Sequence, residues 1–185
     1  MTRHKRTTNH AQVSIDQYQP QLTPTEWAYT AGIIDGEGSI SILRVSKRKG
    51  LHYILQPVVS VTNTNESLLS WLGMKLDMRV DKRHRPQVIG QNHLKRVPAV
   101  CYVITVWGYR VYNLLTSIEP HLIVKKAQAQ TVTAFLDSRR ERSEALYNPP
   151  YIQEELDLWL KVRALNRKES WPYPLEASLT PSSTT

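Results

Sequence analysis

The spacing of apolar residues changes period just after position 34. Trp27, Ala31 and Ile34 recur at helical spacing, whereas Ile40 and Ile42 alternate with Ser39, Ser41 and Leu43 in the two-residue period of a strand. Thr23 is placed to cap the helix, Pro24 suits its first turn, and Glu26 completes a Thr-x-x-Glu capping box. Leu22 and Trp27 fit a hydrophobic staple, and Gly36-Glu37-Gly38 ends the helix. A second strand is predicted over residues 52–62, where Pro57 argues for an edge or a bulge. Asn63 or Asn65 can cap a helix through Leu68, Leu69 and Leu72. A strand over 100–107 and a helix over 109–118 follow. Pro120 interrupts, and helices over 124–136 and 152–165 flank the break at Asn148-Pro149-Pro150.

This order of helix, two strands, helix, two strands and more helices predicts an α+β fold. Two hairpins form one antiparallel sheet with helices on one face. Residues 1–21 read as a flexible basic arm, 22–170 as one domain and 171–185 as a disordered polar tail.

One stretch of the pattern is chemically awkward. Glu37 falls where a helix ends, beside unpaired carbonyls and partial negative charge, so a carboxylate is unfavourable there and a cation would be welcome. Along the same helix Ala28, Gly32 and Gly36 recur every four residues. A glycine inside a helix costs about 1 kcal/mol relative to alanine. Gly32 is therefore expected to let another backbone come close.

Thr30-Ala31-Gly32-Ile33-Ile34-Asp35-Gly36-Glu37-Gly38-Ser39 resembles the signature of the LAGLIDADG homing endonucleases, with only Thr30 departing from it. The similarity continues through Asn113-Leu114-Leu115-Thr116, Pro120, Lys125-Lys126-x-Gln128-Ala129 and, after Trp159, Ala164-Leu165-Asn166. The resemblance implies the αββαββα fold of that family, with a saddle-shaped sheet and added C-terminal helices. A single motif in a chain of 185 residues implies the homodimeric type. The motif helices of two copies would meet through Ala28, Gly32, Asp35 and Gly36. Glu37 and the carbonyl of Gly36 would hold divalent metal shared at the twofold axis.

The activity implied is site-specific double-strand DNA cleavage across the minor groove, which promotes intron homing, on a long pseudo-palindromic target. An RNA-splicing maturase of the same fold, or a DNA-binding protein that does not cut, are the competing readings. Oxygen ligands without a cysteine or histidine cluster point to Mg²⁺. Lys125 matches the family's active-site lysine. Asn63 falls where a polar group orders metal-bound water, although a helix cap explains it equally well. Ser67 stands where family members carry an arginine, so that role is absent or moved.

Charge sharpens the expected partner. Residues 22–128 hold fourteen basic and seven acidic side chains, most of the formal net charge of +8. A basic excess suits phosphate neutralisation. The candidates for DNA contact are Arg44, Lys47, Arg48, Lys49, Lys82, Arg83 and Arg85 at two hairpins, with Ser41, Gln56 and Ser60 on the sheet. Tyr102 is assigned to the same polar face. Arg139-Arg140-Glu141-Arg142 could touch backbone phosphates, but reads first as a solvated helix end. Cys101 is the sole cysteine, which excludes an intramolecular disulfide and fits a reducing compartment. Met1 to Arg6 has no apolar segment behind it and does not read as a secretory signal. No membrane association and no small-molecule cofactor are expected.

Overall fold

The computed structural model describes residues 20–46, 53–84, 100–145 and 150–167. Its elements run α1 (Pro24–Glu37), β1 (Gly38–Ser46), β2 (Tyr53–Asn63), α2 (Glu66–Lys75), β3 (Val80–His84), β4 (Val100–Trp107), α3 (Tyr109–Ile118), a 3₁₀ turn (Glu119–His121), α4 (Lys126–Ala145) and α5 (Gln153–Leu165). The four strands form one antiparallel sheet in the order β1-β2-β4-β3. The predicted α+β architecture is the one observed.

The capping box forms as the sequence requires. Thr23 accepts from the Glu26 N–H, and Glu26 accepts from the Thr23 N–H at 2.8 Å. Lys75 of α2 pairs with the same carboxylate at 2.5 Å. That contact, with the Thr23 donors, holds the Glu26 carboxyl down at about 2. Asn65 rather than Asn63 caps α2, accepting from the Leu68 N–H at 3.1 Å.

Gly38 makes the abrupt passage from α1 to β1 possible. A Cβ there would stand 2.7 Å from the Ile34 carbonyl oxygen and 2.8 Å from its Cα. No side chain fits that approach. Strand alternation then sends Ile40 and Ile42 to one face, where they join Leu55, Val59, Val61, Ile104 and Val106 in the main core. Ala31 and Ile34 of α1, Leu69 and Leu72 of α2, Leu114 and Leu115 of α3, Phe135 of α4 and Trp159 of α5 close over them. Each of the large side chains contributes about 1.5–3 kcal/mol by leaving water.

Pro57 lies in β2, which is central rather than at an edge. The pairing of β2 with β4 begins only at Val58, so among the described strands Pro57 has β1 alone as neighbour. The strand is locally an edge, and a missing N–H is tolerated there. Nearby, Tyr151 takes over from the absent strand: its hydroxyl accepts from the Leu55 N–H at 2.7 Å. Its ring stacks on Tyr53 at 5.9 Å between centroids.

The C-terminal helices are held to this framework by polar contacts. Asn166, just past α5, donates to the Ile40 carbonyl at 2.8 Å and so covers the open side of β1. Glu155 of α5 is fully buried. It accepts from Arg142 at 2.8 Å, from Arg139 at 3.4 Å and from the Ile152 N–H at 3.1 Å. The stretch from Arg139 to Arg142 is thus no solvated helix end. Helix α4 runs further than the sequence period suggests, to Ala145, and two of these arginines neutralise the buried acid.

Candidate active site and nucleic-acid face

Helix α1 carries no basic residue in its own last turn, so any cation at the negative end of its dipole must come from elsewhere in the fold. Two acids stand there with opposite circumstances. Asp35 is saturated. Its carboxylate accepts from the N–H groups of Ile123 at 2.7 Å, Val124 at 3.2 Å and Lys125 at 2.9 Å. Burial pushes its carboxyl upward, but the Ile123, Lys125 and Val124 N–H groups together with the Lys125 charge outweigh that and leave it below the usual range. Glu37, two residues on, is exposed, and no described residue hydrogen-bonds or pairs with it.

The Asp35 clasp explains the entry to α4. Helix α4 starts at Lys126 after Ile123-Val124-Lys125, which contains no Ser, Thr, Asp or Asn to cap it. Asp35 supplies the missing acceptor from across the fold and places negative charge near the positive end of α4. That uncapped start was the sequence signal for this contact. The same clasp positions Lys125, whose Nζ donates to the Asp35 carbonyl. An ammonium group is thereby fixed at the end of α1, on the carbonyl of the residue just before Gly36.

Ala28, Gly32 and Gly36 lie on an exposed face of α1. A Cβ at Gly32 or Gly36 would meet nothing within 4 Å. Within one chain, neither position requires glycine for space. Asn63 ends β2 and accepts from the Asn65 N–H at 2.9 Å in a turn leading to α2. Among the described residues no group of three His, Cys, Asp or Glu side chains could by itself hold a metal ion.

The strand registers divide the candidates for DNA contact. Ser41, Gln56, Ser60 and Arg83 occupy the sheet face opposite the main core. Arg44 has the parity of Ile40 and Ile42 and lies within β1 rather than at a hairpin tip; its guanidinium stacks on Tyr53 at 4.3 Å. Lys82 likewise has the parity of the core face and lies over Tyr102 at 5.9 Å. Tyr102 also belongs to the core face, where its hydroxyl donates to Glu66 of α2, and the carboxylate raises its pKa. The assignment of Tyr102 to the open face is corrected by this register. Lys47, Arg48, Lys49 and Arg85 lie outside the described residues.

No protein-family model and no curated protein sequence matches the chain. Its structure is similar to that of homing endonuclease I-CvuI, solved with its target in the presence of Ca, at a TM-score of 0.57 and 22% identity. That likeness covers 79% of this chain and 85% of the other. Group I intron-encoded homing endonuclease I-CeuI, complexed with DNA, is similar at a TM-score of 0.53 and 18% identity, covering 78% of this chain and 69% of the other. The LAGLIDADG homing endonuclease I-SmaMI, bound to cleaved DNA, gives a TM-score of 0.55 at 17% identity, covering 88% of this chain and 50% of the other. From the capped motif helix to the four-stranded sheet, the chain has the fold of the LAGLIDADG homing endonucleases.

Proposed function

We propose that this protein is a site-specific DNA endonuclease that works as a twofold homodimer and hydrolyses both strands of a long pseudo-palindromic duplex, promoting intron homing. The observation that carries the reading is the isolation of Glu37. It is an exposed carboxylate at a negative helix end, without a partner among the described residues, in a fold whose neighbours I-CvuI and I-CeuI were solved with DNA. The coverage figures support a dimer. The chain spans most of I-CvuI but half of I-SmaMI.

The site's donors, a carboxylate and a backbone carbonyl, suit a hard divalent cation such as Mg²⁺. Glu37 and the Gly36 carbonyl would hold it, with Glu37 of a second copy across the axis. A bound divalent ion supplies water activation and relief of the charge that builds on the phosphate. Bringing Glu37 from two copies together sets like charges against each other, a strain that cation entry relieves. The open stripe of Ala28, Gly32 and Gly36 lets the two motif helices approach, with Asp35 beside them holding each Lys125 loop in place. Lys125 places its ammonium where negative charge develops. Asn63 would order water near the metal. Ser41, Gln56, Ser60 and Arg83 face the duplex.

The test is direct. Purified protein is incubated with Mg²⁺ and a library of long duplexes, and cut ends are sequenced. Discrete double-strand cuts are expected from the wild type. Glu37→Gln should bind the same duplexes but leave them intact. A wild type that binds its selected duplex and never cuts it removes the nuclease reading. Sedimentation of the free protein at the mass of one chain removes the dimer.

A further inference from the structure

The sheet face that carries Ser41, Gln56 and Ser60 is not uniformly polar. Leu43 is 41% exposed, Val45 39% and Ile54 38%. The three adjoin: Val45 pairs with Ile54, and Leu43 stands two residues back on the same face of β1. They occupy the end of the β1–β2 ribbon away from Glu37, while Ser39, Ser41, Ser60 and Thr62 occupy the near end. The ribbon's outer surface therefore changes from hydroxyl-bearing to aliphatic as it leaves the candidate active site.

Resting on the reading of this protein as a DNA endonuclease, we infer that Leu43, Val45 and Ile54 form an aliphatic platform that selects thymine through its 5-methyl group in the major groove. A two-stranded ribbon fits that groove, and among the standard bases thymine alone presents a methyl there. These three side chains carry no charge or hydrogen-bonding group, so they cannot read the polar edges of guanine, adenine or cytosine; the polar neighbour within the patch is Gln56, which pairs with Leu43. It continues a face whose Ser41 and Gln56 do carry hydrogen-bonding groups, and Lys47, Arg48 and Lys49 follow β1 directly in sequence. An apolar patch flanked by Ser41 and Gln56, on a strand that a basic run follows in sequence, suits a polyanion with methyl groups better than an apolar protein partner. Leu43 lies six residues beyond Glu37 along β1. At about 3.3 Å per residue this is roughly 20 Å, or about six base pairs at ~3.4 Å each. The selected thymines should stand about that far outward from each cut.

The full-length protein is first used to select duplexes from a randomised library. The selected site is then remade with deoxyuridine at the outer thymines, which removes the methyl and leaves base pairing intact. Thymine should be enriched at the outer positions of both half-sites. Each uridine should weaken binding about fourfold, the value of one buried methyl group. Leu43→Ala combined with Ile54→Ala should bind the uridine duplex as well as wild type does and lose the preference for thymine. An unchanged melting temperature of this variant shows that the fold is intact. Equal affinity for thymine and uridine duplexes, or a preference that survives the double substitution, overturns the platform while leaving the endonuclease reading in place. If no duplex is enriched at all, both fall together.

Discussion

Two helix termini of this fold treat their acids in opposite ways. At the α4–α5 junction Glu155 is fully buried and receives two arginines and a backbone N–H from its own chain. At the end of α1 Glu37 is exposed and receives nothing from the described chain. The first acid is complete within one protomer, as a buried charge must be. The second is complete only if its partners come from outside. Asp35 sits between the two cases, exposed enough to see solvent yet saturated by three N–H groups.

The contrast can be broken most forcefully at Glu155. Glu155→Ala removes the carboxylate that Arg139 and Arg142 share and should cost about 3 kcal/mol, read as a lower denaturant midpoint. A loss under 1 kcal/mol would mean that the buried pair is not what secures α5. Next comes Gly32→Leu. The position is open within one chain, so monomer stability should be unchanged or should rise by up to about 1 kcal/mol. Self-association in sedimentation should weaken by on the order of a hundredfold, because a side chain now blocks the helix contact. Unfolding of this variant would show instead that the stripe serves the protomer.

Asp35→Asn should cost about 1–3 kcal/mol at neutral pH by weakening the clasp on the Lys125 loop. Asp35 titrates lower in the folded state than in the unfolded chain. Its charge therefore stabilises the fold above about pH 4, and that contribution is lost as pH falls through the depressed folded value. The variant should lose less stability than wild type on acidification through that window. The smallest effect is expected at Thr30, fully buried with a hydroxyl that has no hydrogen-bond partner among the described residues. Thr30→Val should raise stability by about 1 kcal/mol, seen as a higher melting temperature. A fall would mean that the hydroxyl is satisfied after all.

Local rules wrote the elements plainly. Capping chemistry placed the start of α1, and the switch of period at Ile40 placed β1. Placement across the fold was less legible. Arg44 follows a clean alternation, yet where it points depends on whether the strand continues past Leu43, which the basic run after it obscures. Tyr102 looked polar enough for the open face until the register with Asn63 set it against α2. The Glu155 cluster joins α4 to α5 across the Asn148-Pro149-Pro150 break, so no helical periodicity reveals it. The Asp35 clasp spans about ninety residues and showed itself only as a helix without a cap. Glu37 was the opposite case, since a carboxylate at a helix end stands out from sequence alone.

The central claim is that each Glu37 is half of one shared site. Two copies of the chain carrying different affinity tags, one wild type and one Glu37→Gln, can be co-expressed and purified through both tags. The measurement is the conversion of supercoiled plasmid bearing the selected site to linear product in Mg²⁺. The shared site predicts that the mixed dimer loses linearisation while binding the site as tightly as wild type. Linear product at the wild-type rate, or no particle carrying both tags, would contradict it.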